Sequence, residues 1–357
     1  MRRALALCFL WGTACAAPGA PLPPAEPEPD AARATVPPRP DAGLDTTAIA
    51  PALDVAPAAP EQDAAAAPDA PPVTPQPAGP VAHRFLKGFS GGGSVAIVSK
   101  DGKIEWELPV AEHEANDAWL LPGGNVLFGF KTGCREVNPA KQVVWEFRAT
   151  AGAETHSCQP LPDGNILVGQ SRPDGNTVVQ EMNRQNQVGK TFTVQQGGGT
   201  HNQLRQLRKT PEGTYLLSQQ RGGGKAKEVD ATGKVLRTFP CGQFVAIRLP
   251  DGNTLLACGD EHRIVEVDRM DQIVWEVKET DIPGNRLGFV AGLQRLANGN
   301  TVICNWSGHS GLDNQPQVFE LTRDKKLVWK VEDKSLDKIS TIEILDPEAA
   351  VDGQVLR

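Results

Sequence analysis

From about residue 83 onward, short apolar runs rich in Val, Ile, Leu and Phe alternate with polar clusters built on Gly, Asn, Asp and Pro. The stretch from Leu249 to Val277 shows the unit most plainly. Turn chemistry at 250–253 (Pro-Asp-Gly-Asn) precedes a short, mostly apolar strand at 254–258. A polar loop follows, then a strand at 264–267, a tight turn and a strand at 273–277. With the apolar run 244–249 in front, the unit holds four antiparallel strands.

The unit recurs. Its turn reappears as Leu121-Pro-Gly-Gly-Asn125, Leu161-Pro-Asp-Gly-Asn165, Thr210-Pro-Glu-Gly-Thr214 and Leu296-Ala-Asn-Gly-Asn300. The third strand carries a Glu each time, at Glu136, Glu181, Glu228, Glu266 and Glu320. Nine residues after each Glu comes a fixed slot, filled by Trp145, Lys190, Arg237, Trp275 and Trp329. The Glu-to-Glu steps are 45, 47, 38 and 54 residues. That period, with a glycine turn inside every unit, excludes helices and predicts blades around an axis. A small residue five positions after each turn glycine (Gly129, Gly169, Ser218, Ala257, Cys304) fits close blade stacking.

The expected fold is an all-β, six-bladed β-propeller. Five complete blades are read at about 115–148, 156–194, 202–239, 243–278 and 289–331. Strands at 94–99 and 103–108, ending in Trp106, look like the last two of a sixth blade. Runs at 339–345 and 354–357 are expected to supply its first two, so that the two ends of the domain share one blade and leave no open edge. Seven blades is the alternative, if residues 83–91 begin a partial blade.

Residues 1–17 read as a signal peptide: Arg2 and Arg3, an apolar run, then small residues. Gly12-Thr-Ala-Cys15 resembles a lipobox, which makes Cys15 a candidate lipidation site. Residues 18–82 are rich in Ala and Pro and almost devoid of aromatic side chains, so they cannot offset their ordering entropy and read as a disordered spacer. Charge partitions with this boundary. The spacer's nine acids face only Arg33 and Arg39, while residues 83–357 hold 32 basic and 34 acidic side chains. A nearly neutral domain without a basic patch excludes nucleic acid as partner. The expectation is an exported protein, periplasmic or on the outer membrane or cell surface, touching membrane only through its lipid, and monomeric.

Blade topology sorts candidate chemistry between two faces. The repetitive A–B and C–D turns share one face; the D–A connections and B–C loops, variable in length, share the other, where function is expected. His113, His156, His201, His262 and His309 all fall there; His83 does not. His156 and His201 are expected to begin innermost strands and point at the channel. Asp117, Arg135, Arg263 and Trp306 share that face, completing a candidate ligand-binding set. No metal-ligand spacing is present in the sequence. Of five cysteines in the domain, Cys134 and Cys158 are the expected disulfide.

The segments Glu266-Val-Asp with Gln272-Ile-Val-Trp-Glu, and Glu136-Val-Asn with Gln142-Val-Val-Trp-Glu, resemble pyrroloquinoline-quinone-type propeller repeats. His156 ahead of Leu161-Pro-Asp-Gly-Asn165 also resembles bacterial arylsulfotransferase propellers, where a His before such a turn is catalytic. The resemblance implies a propeller far more firmly than an activity. The quinone enzymes are longer and carry metal-binding acids not found here, and the sulfotransferases carry further domains. The reading is therefore a binding or scaffold module with its ligand, a small molecule or a protein or cell-envelope component, at the axial mouth of the variable face. A sulfotransferase-like or lactonase-like enzyme using His156 or His201 is the alternative. A quinone-type cofactor and a divalent metal both remain open.

Overall fold

The computed structural model describes residues 82–220, 224–309, 314–336 and 338–357. The signal peptide, Cys15 and nearly all of the spacer lie outside them. Among the described residues, no helix is long and apolar enough to cross a membrane.

Six antiparallel sheets of four strands make a six-bladed β-propeller. Blade 1 consists of Asp117–Leu120, Val126–Phe130, Gly133–Val137 and Val143–Arg148. Blades 2 to 5 repeat this order from Cys158–Pro160, Leu207–Lys209, Ala246–Arg248 and Phe289–Arg295 as innermost strands. Inner and middle strands are buried on both faces between neighbouring blades, which is why they read as continuous apolar runs.

The closing blade corrects two sequence expectations. Its innermost strand is Ile339–Ile344, but its second is Phe85–Ser90, followed by Gly93–Val98 and Ile104–Val110. The segment before residue 94 is thus part of this sheet rather than a seventh blade. Residues 354–357 form no strand of it. Leu356 bridges instead to Arg295 of blade 5, and Arg357 enters the channel. The sequence misled because Phe85–Ser90 lacks the turn that introduces every other second strand. Its partner strand comes from the far end of the chain, so no hairpin joins them.

The nine-residue spacing becomes a cross-strand pair. Glu136 faces Trp145, Glu181 faces Lys190, Glu228 faces Arg237, Glu266 faces Trp275 and Glu320 faces Trp329. Each Glu also reaches into the next blade. Glu136 accepts from Arg184, Glu181 from Tyr215 and Lys209, and Glu228 from Arg248. Glu266 accepts from Arg295 and Arg323, and Glu320 from His83. In four of the blades it is tied as well to its own A–B turn, through Asn125, Thr214, Asn253 or Asn300. In the closing blade the slot facing Trp106 holds Ile97.

The small-residue slot is steric. A Cβ on Gly169 would stand 2.3 Å from Leu204 Cδ2, and one on Gly129 would stand 3.1 Å from the backbone nitrogen of Ser157. The disulfide joins Cys241 to Cys258, whose Cα atoms are 5.2 Å apart, across the entry to blade 4. Cys134 and Cys158, the expected pair, are both free and fully buried on adjacent blades. Burial first, and the neighbouring Cys134 after it, push the Cys158 thiol up.

Candidate functional site

Three consecutive connections deliver a polar cluster to the variable-face mouth. Glu114 lies in the short strand Glu114–Ala115, pinned to Ser90 and Phe89 at the end of the closing blade. Glu154 and His156 lie in the connection from blade 1 to blade 2. That backbone is fixed on both sides: Glu154 exchanges two hydrogen bonds with Ser171, and the Thr155 amide donates to the Lys131 carbonyl at 2.7 Å. His201 sits on the single helical turn Thr200–Gln203 and His156 lies two residues ahead of the strand Cys158–Pro160, so neither begins an innermost strand as expected. Gly197 and Gly198, both at positive φ, let the chain enter that helical turn.

Here the two expected histidines meet. Their ring centroids are 5.4 Å apart, edge to face. One carboxylate oxygen joins them: Glu154 Oε2 lies 2.9 Å from His156 Nε2 and 2.8 Å from His201 Nδ1. On the other side Glu114 lies 3.1 Å from His156 Nδ1 and 3.8 Å from His201 Nε2. Arg205 Nη2 donates to His201 Nε2 at 2.7 Å, and its Nη1 lies 3.7 Å from Glu114. Lys131 approaches Glu154 at 3.5 Å. His156 is fully buried, while the His201 side chain is 42% exposed, so the cluster opens to solvent through His201.

Burial opposes the charge on both carboxylates, but their partners prevail. Hydrogen bonding and attraction from His156, with Arg205 and His201 behind, bring Glu114 down to about 2. His156 and His201 hold Glu154 well below the usual carboxylate range. Two ionised carboxylates and two imidazoles in contact form a donor set for a cation. One ligand atom each from Glu114, His156 and His201 fall within 4.8 Å of one another, so the fold supplies what the sequence spacing did not.

The other candidates are employed elsewhere. Asp117, fully buried one layer deeper, takes a forked pair from Arg208 at 2.7 and 3.0 Å and a bond from Ser157 at 2.8 Å. Arg135 pairs with Glu146 and Glu112, and Arg263 with Glu276 and Glu261. Both arginines are therefore spent on neighbouring strands and loops rather than aimed at the channel. Trp306 and His309 pack edge to face with each other and with Phe289, and His309 lies 3.2 Å from Asp260. His262 contacts the Gly288 carbonyl, and His113 is an exposed positive-φ residue whose carbonyl caps Gly91 and Gly92. Sequence reasoning passed over Glu114, Glu154 and Arg205. The available signal was an acid just ahead of Asp117 and another two residues ahead of His156, in equivalent connections.

Fold and mouth define a six-bladed propeller with a His–carboxylate cluster between three consecutive blades. A family model described as Mal s 1 allergenic protein-like matches residues 91–326, and the chain belongs to that family. The family matched is thus neither the quinone-type nor the arylsulfotransferase propellers that the repeats resemble. A crystal structure of a protein of unknown function from Bacteroides caccae is similar at 33% identity and TM-score 0.67, covering 73% of this chain and 98% of that one. A catalytically inactive virginiamycin B lyase from Staphylococcus aureus, solved with quinupristin, aligns at 12% identity and TM-score 0.48, over 69% of this chain and 84% of that one. The WD40 propeller domain of Doa1 aligns at 16% identity and TM-score 0.45, over 70% and 86%. Neither of these two bears on the chemistry of the mouth. No curated protein sequence matches the chain.

Proposed function

We propose that this is an exported binding propeller, tethered through Cys15 and the 18–82 spacer, whose variable-face mouth takes a divalent metal ion. The observation that carries the reading is the convergence of Glu114, His156 and His201. Two imidazoles and a carboxylate are the donor set of open zinc sites, which keep a position for a further ligand. Glu154 then orients both rings from behind, as carboxylates do around metal-bound histidines. With His201 partly exposed, the open position faces solvent. There a small anionic or polar ligand would meet the metal, with Arg205 and Lys131 beside it.

Isothermal titration of the purified, chelator-treated protein with zinc tests this. One equivalent should bind, and the double variant His156→Gln, His201→Gln should lose about tenfold or more in affinity while melting like the parent. Absence of uptake, or uptake unchanged in the variant, defeats the metal reading.

A second reading has its own support. His156, fully buried between Glu114 and Glu154, has the arrangement of a carboxylate-oriented acid–base group. It predicts turnover that survives chelation and is lost in His156→Gln alone.

A further inference from the structure

Blades 1 and 2 meet over a pair of thiols. Cys134 lies in the third strand of blade 1, Gly133–Val137, where it pairs with Gly129. Cys158 opens the innermost strand of blade 2. The missing side chain at Gly129 lets that strand come close. A Cβ there would stand 3.2 Å from the Cys158 nitrogen, and Cys134 beside it is set against the incoming chain. The Cys134 thiol donates to the Ser157 carbonyl at 3.8 Å, and the Cys158 thiol has Cys134 as its hydrogen-bond partner. Both side chains are fully buried in one apolar cluster with Leu127, Trp145 and Met182. The Cys158 backbone is held from another side, its carbonyl accepting from Trp119 Nε1 at 2.7 Å.

Two thiols in mutual contact become a disulfide when an acceptor of their electrons reaches them. The chain already carries one such bond, Cys241 to Cys258, as chains folded in oxidising compartments do. The remaining free cysteine, Cys304, is equally buried but lies in a different apolar cluster. Position gives the pair a consequence. Cys158 follows His156 by two residues, so a bond there acts on the backbone that carries His156 and Glu154.

We propose that Cys134 and Cys158 are a redox pair, reduced in this structure, whose oxidation to a disulfide ties blade 1 to blade 2 and locks the connection bearing His156. The oxidant is a small disulfide of the glutathione disulfide class. One cysteine attacks it as the thiolate, forming a mixed disulfide and releasing one glutathione. The other cysteine attacks the mixed disulfide, closing the bond and releasing the second glutathione. Two electrons pass to the oxidant, and the two cysteine protons end on the released thiols. Local opening of the connection ahead of His156, exposed at 150–152, admits the oxidant.

The test is incubation of the purified, folded chain in a glutathione redox buffer, then denaturation, alkylation and peptide mass mapping. A peptide joining Cys134 to Cys158 should appear, lighter by about 2 Da than its two thiol halves together. Cys304 should be alkylated as before, and a dithiol should restore alkylation at both positions. In the oxidised chain, amide exchange at 154–158 should slow about fivefold or more. Cys134→Ala removes the partner, and Cys158 should then form no intramolecular bond under the same treatment. If that variant does not fold, the wild-type map and exchange rates decide. The proposal is overturned if both cysteines stay alkylated after oxidation, or if each carries its own glutathione in place of a shared bond. It is also overturned if the bond forms and exchange at 154–158 is unchanged. None of these outcomes depends on whether the mouth holds metal.

Discussion

Arg357 and Asp117 stand 240 residues apart in sequence and meet on the propeller axis, Nη2 to Oδ1 at 3.3 Å. Arg357 also donates to Glu343 at 3.0 Å and Thr341 at 2.6 Å, and lies over the Trp119 ring with its guanidinium carbon 4.4 Å from the centroid. Its own carbonyl accepts from Arg208 Nε at 2.5 Å. The residue therefore plugs the channel and ties the closing blade to blades 1 and 3. Arg357→Ala leaves Glu343 and part of Asp117 buried without a cation. It should cost about 3–5 kcal/mol in urea unfolding, and adding Glu343→Gln should return part of the loss.

His83 makes stability depend on pH from the turn face. Burial opposes its charge, but hydrogen bonds to Glu320 at 2.7 Å and Asp346 at 2.6 Å prevail and raise it above the ordinary 6.5. A raised imidazole stabilises the fold fully below 6.5 and loses that contribution as pH rises through its folded value. Denaturation midpoints should fall as pH climbs above about 6.5, and His83→Gln should flatten that part of the profile.

At the mouth, Arg205 competes with a metal for His201 Nε2. Arg205→Met removes the competing cation and should tighten zinc binding about tenfold, read by competition with a chromophoric chelator. Affinity should rise with pH, because imidazoles must shed protons to ligate. Glu114, already down at about 2, stays ionised across that range and should not limit it.

Gly129 supports the site without touching it. A side chain there presses on the His156–Ser157 backbone, with the His156 carbonyl carbon 3.2 Å from the added Cβ. Gly129→Val should cost about 1–3 kcal/mol by overpacking and weaken metal binding with it. The same substitution at the exposed turn Gly164, which meets no such neighbour, should leave metal binding alone.

The repeating unit was legible because each blade restates its turn, its Glu and its slot at fixed spacing. Spacing within a hairpin survives translation into space: nine residues from Glu266 to Trp275 became one cross-strand pair. The closing blade was half legible, since strands joined from opposite ends of the chain share no turn chemistry. His156 and His201 could be named from the connections that lead into innermost strands, although those strands begin only at Cys158 and Leu207. Glu114, Glu154 and Arg205 could not, because contacts between D–A connections depend on how each loop folds back. Arg135 and Arg263 were misjudged for a related reason. Loop position indicates a face, but cross-strand partners such as Glu146 and Glu276 decide where a guanidinium goes.

The Glu ties between blades all run in one direction, each blade holding its successor, and five of them serve six seams. The unserved seam lies between the closing blade, with Ile97 in the slot, and blade 1. It is fastened near the axis instead, by Glu343 on the Leu120 amide, Ser340 on Asn116 and Arg357 on Asp117. Toward the rim, the Trp106 indole donates to the Pro139 carbonyl, and Arg135 of blade 1 donates to Glu112 just past the outermost strand at 2.9 Å. The wall is therefore fastened mainly from inside at this one place, without the buried Glu tie that the other five seams have. It can breathe at its outer edge while the hub stays shut, and amide exchange should be quickest along the outermost strand Ile104–Val110 and slowest at Ile339–Ile344.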